Sequence, residues 1–249
     1  MKKMVKKYMK IYTKICILGL ICLLLLACQP ALKKDINQAR QWLSEQKYEE
    51  VVKLLSKTAK DHAKQPDVFN MRGVAYLELG KFKEAQADFE KAITLNEKDY
   101  RYFFNLGNLH QKQKNYTLAV ENYEKALKLD NSVYEIHHNS GVVLLALQRN
   151  AEALAVLNRA IDLQASDANL YLTRSEAAAK MNQNEQAKHD LEKAILLEPT
   201  LGTAHLRLAV LQLSLSKGKA SEDVCLHLQK AKENGFEAQA QALLNEHCK

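Results

Sequence analysis

Glycine and proline are scarce in this chain, with 8 and 3 among 249 residues. No glycine-rich phosphate loop can be drawn, and neither Gly-x-Ser-x-Gly nor His-Glu-x-x-His occurs, so the common phosphate-binding, serine-hydrolase and zincin signatures are absent. No catalytic residue, metal ligand or cofactor is assigned, and the expectation is a protein that is not an enzyme and takes no small-molecule substrate. Long apolar runs are missing too. The longest, Ile15 to Leu26, has 12 residues, against the roughly 20 that a helix needs to cross a bilayer. Past residue 28 no segment concentrates lysine and arginine with interleaved aromatics, which argues against nucleic acid as a partner.

That short apolar run follows six lysines, Lys2, Lys3, Lys6, Lys7, Lys10 and Lys14, with no acid among them. A basic start, an apolar stretch and a small residue read as a cleaved signal peptide over residues 1–27. Removing its six lysines lowers the formal charge from +7 to +1, so the apparent basicity is a targeting feature. Leu25-Leu26-Ala27-Cys28 resembles the lipobox of bacterial lipoproteins, which implies lipidation of Cys28. Cys16 and Cys22 each follow isoleucine, where the motif wants a small residue. More than one acyl chain, at about 0.8 kcal/mol per buried methylene, holds a protein stably at a membrane without a spanning helix. By resemblance to lipoprotein sorting, Gln29 favours the outer membrane, and residues 28–34 form a tether. No acidic cluster follows Cys28, so the expected address is the outer membrane, facing the periplasm.

From there on the chain is periodic. Ala39, Gly73, Gly107, Gly141, Ser175 and Ala209 recur every 34 residues. Val51, Ala85, Ala119, Ala153 and Ala187 form a second column, and Ala92, Ala126, Ala160 and Ala194 a third. Small residues in phase mark places where helices approach too closely for a large side chain, so the period reports a stacked two-helix unit. Within residues 66–99 the apolar and small positions Phe69, Gly73, Tyr76, Phe82, Ala85, Phe89, Ala92 and Ile93 are spaced at helical steps, interrupted at Gly80-Lys81. Neither helix is apolar enough to be buried alone, and each hairpin must lie on the next.

These columns, with Tyr116, Tyr123, Leu157, Tyr171, Leu191 and Pro199 in later units, resemble the tetratricopeptide repeat. The resemblance implies an all-α, right-handed α-solenoid of about six hairpins over residues 35–249. Its units are 32–65, 66–99, 100–133, 134–167, 168–201 and 202–234, followed by a capping helix over 235–249. Asn150 and Asn184 replace the aromatics Tyr48, Phe82 and Tyr116, so the later turns are expected to be looser. The sixth unit carries about three extra residues around Leu215 to Ala220, and Asn234-Gly235 ends its second helix.

Carrying the family's groove positions onto this chain gives Asn70, Val74, Leu77, Phe104, Asn105, Asn108, Gln111, His138, Asn139, Val142, Leu145, Leu172, Thr173 and Glu176. Amides on such a face can pair with the backbone of an extended peptide, and the apolar members offer shallow pockets. A carboxylate clamp is disfavoured, because Phe104, Asn169 and Thr173 stand where the family places basic residues or their equivalents. Cys225 and Cys248 lie on consecutive helices outside the cytoplasm, where a disulfide is preferred to two buried thiols. A zinc site with His227 and His247 is disfavoured, since Cys225 and His227 are two apart on a helix and point to nearly opposite faces. His110, His137 and His205 read as core or seam residues. The expected function is a membrane-anchored adaptor in the bacterial cell envelope that binds a protein or peptide partner. The alternatives are a pilotin-like assembly factor for an outer-membrane complex and a periplasmic chaperone with broad peptide binding.

Overall fold

The computed structural model describes residues 31–248, which form thirteen helices and no strand. The segment expected to be a signal peptide, Cys28 and Gln29 lie outside these residues. Helix α1 spans 31–44. It is followed by α2 (Tyr48–Asp61), α3 (Pro66–Glu78), α4 (Phe82–Leu95), α5 (Tyr100–Lys112), α6 (Tyr116–Leu129) and α7 (Tyr134–Ala146). Then come α8 (Asn150–Leu163), α9 (Ala168–Lys180), α10 (Asn184–Leu197), α11 (Gly202–Leu215), α12 (Glu222–Glu233) and α13 (Glu237–His247). No described helix is long and apolar enough to cross a membrane.

The turn inside each of the first five hairpins is made the same way. One residue takes a left-handed backbone: Gln46, Gly80, Lys114, Gln148 or Asn182, with φ of 57°, 71°, 61°, 60° and 58°. The next residue's N–H then reaches five residues back, as in Lys81 to the Tyr76 carbonyl at 2.8 Å and Gln183 to the Ala178 carbonyl at 2.9 Å. This closes the orphan carbonyls at the end of the first helix. The same residue's carbonyl accepts the first bond of the second helix, from Ala85 at 3.0 Å and Ala187 at 3.0 Å. The turns before Asn150 and Asn184 are therefore no looser than the others. The backbone closes them, and the aromatic that opens α2, α4 and α6 is not needed for it.

The chain divides into two compact units, one ending at Asn105 and the other beginning at Leu106. In the first, Ala39, Val51, Leu55, Val68 and Ala75 are buried, with Ile36, Trp42 and Tyr48 packed against them. Gly73 sits over Phe89: an added Cβ would stand 2.7 Å from the ring, so only hydrogen fits. Beside this crossing Arg72 grips Asp88 with two bonds of 2.7 Å. The Tyr102 hydroxyl donates to Asp67 Oδ1 at 3.0 Å and joins α5 to α3.

In the second unit the crossing recurs with different partners. A Cβ on Gly107 would meet Tyr123 at 2.5 Å, and one on Gly141 would meet Leu157 at 2.6 Å. Leu157, Leu170 and Leu208 are almost wholly buried, each contributing about 1.5–3 kcal/mol of hydrophobic stabilisation. Arg174 holds the fully buried Asp190 through bonds of 2.8 and 2.6 Å. At the C-terminal end the step from α11 to α12 is longer, with Lys217 and Gly218 at φ of 55° and 84°. Ser221 caps α12 by accepting from the Val224 N–H at 3.3 Å. A disulfide joins Cys225 on α12 to Cys248 after α13, with Cα atoms 5.9 Å apart.

Candidate functional site

The first helix of each hairpin carries the groove positions, and their polar members bond to one another along successive helices. In the first unit Asn105 Nδ2 on α5 donates to Asn70 Oδ1 on α3 at 2.8 Å. Asn70 and Leu77 are only 6% and 5% exposed. Both belong to the interior rather than to an open face, Asn70 with its oxygen occupied by Asn105. Val74, Phe104 and Asn105 are half-buried.

In the second unit Asn139 Nδ2 on α7 donates to Asn108 Oδ1 on α5 at 3.0 Å. The Tyr123 hydroxyl lies 2.8 Å from that same Asn108 oxygen and 2.5 Å from Gln111 Oε1. Burial pushes the Tyr123 phenol well above its ordinary pKa, so it stays a neutral hydroxyl beside these amides. His138 Nε2 stands 3.0 Å from Thr173 Oγ1, whose own proton goes to the Asn169 carbonyl at 2.8 Å. Nε2 is therefore the donor, which leaves Nδ1 bare. Burial also lowers the His138 pKa, with Asp167 opposing it, and favours this neutral ring. Val142 and Leu172 are half-buried, whereas Leu145 is 5% exposed and faces the interior. Glu176 is held by Lys180 at 3.2 Å and by Arg207 at 3.0 Å.

Two contributors escaped the sequence reading. Tyr123 counts as a repeat core residue, yet its hydroxyl serves the amides of the face. Arg207 on α11 also bonds the Leu172 carbonyl at 3.4 Å, and a signal for it was present. Asn105, Asn139, Thr173 and Arg207 stand 34 residues apart in one column. The asparagine oxygens of Asn105 and Asn139 accept no bond among the described residues, although each amide gives an N–H to a neighbour. In each unit the amide pair is thus ordered by its own bond and still carries an acceptor, which suits the unpaired N–H groups of an extended peptide. No cluster of three or more His, Cys, Asp or Glu side chains able to hold a metal occurs among the described residues.

Comparison with known proteins agrees with this architecture. A family model described as Tetratricopeptide repeat matches residues 70–132 and 104–168, and a second of the same description matches 168–201. Together they span residues 70–201, more than half of the chain. The Hsp70-Hsp90 organising protein of Plasmodium falciparum is 37% identical over 57 residues, which is 23% of this chain and 10% of that protein. The match therefore spans about a tenth of that relative's length. Among solved structures, PilF of Pseudomonas aeruginosa superposes with a TM-score of 0.75 over 86% of this chain and 99% of that one, at 17% identity. YrrB, described as a TPR protein with an unusual peptide-binding site, gives 0.65 over 77% and 97%, at 18% identity. At these identities the structural likeness is one of fold.

Proposed function

Because the chain belongs to the tetratricopeptide repeat family, we propose that it is a lipid-anchored adaptor that holds an extended segment of a protein partner in the bacterial cell envelope. The observation that carries this reading is a bonded amide pair in each unit, Asn70 with Asn105 and Asn108 with Asn139, each with a spare acceptor at Asn105 or Asn139. Amides fixed before the partner arrives lose little side-chain freedom on binding. Support comes also from YrrB, a solved protein of the same fold described by its peptide-binding site. The Plasmodium relative is named for organising two other proteins.

The anchor is Cys28, lipidated after cleavage of residues 1–27, and the address is the outer membrane, on its periplasmic side. The motif Leu25-Leu26-Ala27-Cys28 supports the anchor, and Gln29 the choice of membrane. Cys28→Ser should move the protein from the membrane fraction to the soluble one. The decisive experiment is crosslinking in intact cells from a photoreactive residue at Asn105 or Asn139. One envelope protein captured in stoichiometric yield is the expected result. A broad smear would favour a chaperone that binds many segments, and no adduct would overturn the assignment of this face.

A further inference from the structure

A groove of about 760 Å³ lies between α9 and α11 over α10. Its apolar wall is formed by Leu206, Val210, Leu211 and Leu215 of α11, facing Ala179 of α9 with Leu191 of α10 below. Val210 and Leu215 are 47% and 48% exposed. Asn184, the first residue of α10, lines the same groove.

The repeat supplies an internal control for what this groove lacks. The position of Asn184 is Tyr116 in α6, and that of Leu215 is Leu147 after α7, each 68 residues earlier. Tyr116 and Leu147 also line a shared cleft, but it measures about 380 Å³. Where the repeat keeps its aromatic, the cleft is half the size. Beside Asn184, which stands where the earlier cleft has its tyrosine, the wider space is walled by apolar side chains and is of a size typical of ligand pockets.

The charges on the lining decide what kind of chain fits. Glu176 is shared between Lys180 and Arg207, at 3.2 and 3.0 Å, so two cations face one carboxylate. An incoming carboxylate would find the surplus positive charge, whereas an incoming lysine would compete with two cations already in place. Asn182 and Asn184 add amides that can bond a peptide backbone.

We propose that this groove docks an acidic segment of a protein partner. An aromatic side chain enters the apolar-walled space beside Asn184, where the earlier cleft is lined by Tyr116, and a neighbouring carboxylate meets Lys180 and Arg207. The inference rests on the adaptor reading for the existence of a partner, but none of its contacts depends on the asparagine row.

The test is selection of a phage-displayed library of random 12-residue peptides on the full protein, with the Val210→Arg protein for counter-selection. Enriched peptides should carry Phe, Tyr or Trp beside Asp or Glu. Made synthetically, they should lose about tenfold or more in affinity on Val210→Arg and on Lys180→Glu. Asn139→Ala should leave their binding unchanged. Because Val210 is half exposed, its replacement should leave the melting curve unaltered, and Leu215→Glu provides a second variant with the same expectation. Enrichment of basic or aromatic-free peptides, or failure to enrich any peptide that depends on Val210, would overturn the proposal. Loss confined to Asn139→Ala would return binding to the asparagine row and remove this groove from it.

Discussion

The hairpins in the middle of the second unit and the one at its end hold together by different means. Between α7 and α8 a glycine lies on a leucine, Gly141 on Leu157, and between α9 and α10 Arg174 clasps Asp190. At the end, α11 and α12 meet through apolar residues supplemented by polar bridges. His205 and His227 approach with Nδ1 atoms 2.9 Å apart, and Gln212 Nε2 donates to Asp223 at 3.0 Å. The disulfide then ties α12 to the chain after α13. Each inner hairpin is covered by a neighbour on both sides, whereas the last has a single helix, α13, against α12. In a stacked repeat each unit is held by its neighbours, and the last described hairpin adds side-chain and covalent bridges to that packing.

The largest effect is expected where the inner hairpins rely on charge. Asp190→Ala leaves Arg174 with a buried guanidinium and no counter-charge, which should cost about 3–5 kcal/mol in denaturant unfolding. The α7–α8 pair manages with Ser140 and Val156 at the corresponding positions. The double change Arg174→Ser with Asp190→Val should therefore be milder than Asp190→Ala alone; an equal or larger loss would mean that the two crossings are not interchangeable. Next comes the covalent bridge. Cys225 and Cys248 are 23 residues apart, and a loop of that size contributes about 3 kcal/mol in the chain-entropy model. Cys225→Ser with Cys248→Ser should raise amide exchange in α12 and α13 and leave α7 to α10 protected. Uniform loss of protection would contradict a bridge that acts at the end alone.

How far the sequence reveals this varies from residue to residue. The column of Gly73, Gly107 and Gly141 was legible because excluding a Cβ is a property of one position, and the period repeats it. The Arg–Asp clasp was missed, though a signal existed: Arg72 and Arg174 are 102 residues apart, as are Asp88 and Asp190, three repeat lengths in each case. The pair skips two hairpins, and a column scan for recurring residues passes over it. Expecting loose turns at Asn150 and Asn184 failed because a left-handed backbone at Gln148 and Asn182 closes them whatever follows. The face was legible as a set of helix positions, but burial was not. Leu77 and Leu145 share the helix positions of the face yet are only 5% exposed each. The His205–His227 approach was hidden by the extra residues between α11 and α12, which shift the register on which the column reading depends.

A moderate effect should follow from crowding the small column. Gly107→Leu forces its side chain into the Tyr123 ring, where even a Cβ would stand at 2.5 Å, and should cost about 1–3 kcal/mol or more. Asn108→Ala, one residue on, takes the acceptor from Asn139 and one partner from the Tyr123 hydroxyl, so it should cost about 1 kcal/mol, less than Gly107→Leu, while weakening partner binding. The reverse ranking of the two variants in thermal melts would exchange the buried and binding faces of α5.

The smallest effect is on pH, and both the end and the middle contribute to it. The His205 Nε2–H faces the Pro199 carbonyl at 3.0 Å, so its Nδ1 is the acceptor and His227 Nδ1–H the donor. Burial lowers the His227 pKa; Asp223 and Glu192 oppose this, and His205 adds to it. A histidine whose folded pKa is depressed takes up its proton first in the unfolded chain, so stability is full above the ordinary value of 6.5 and falls as pH drops below it. His138, lowered by its own burial, contributes in the same direction from the middle. Melting temperature should therefore fall between pH 7.5 and pH 5.5, by a few degrees or less. His227→Gln and His138→Gln should each remove part of that slope. A flat wild-type profile would remove histidine from the balance, and a slope abolished by His138→Gln alone would move the acid-sensitive contact from the end of the array to the α7–α9 seam.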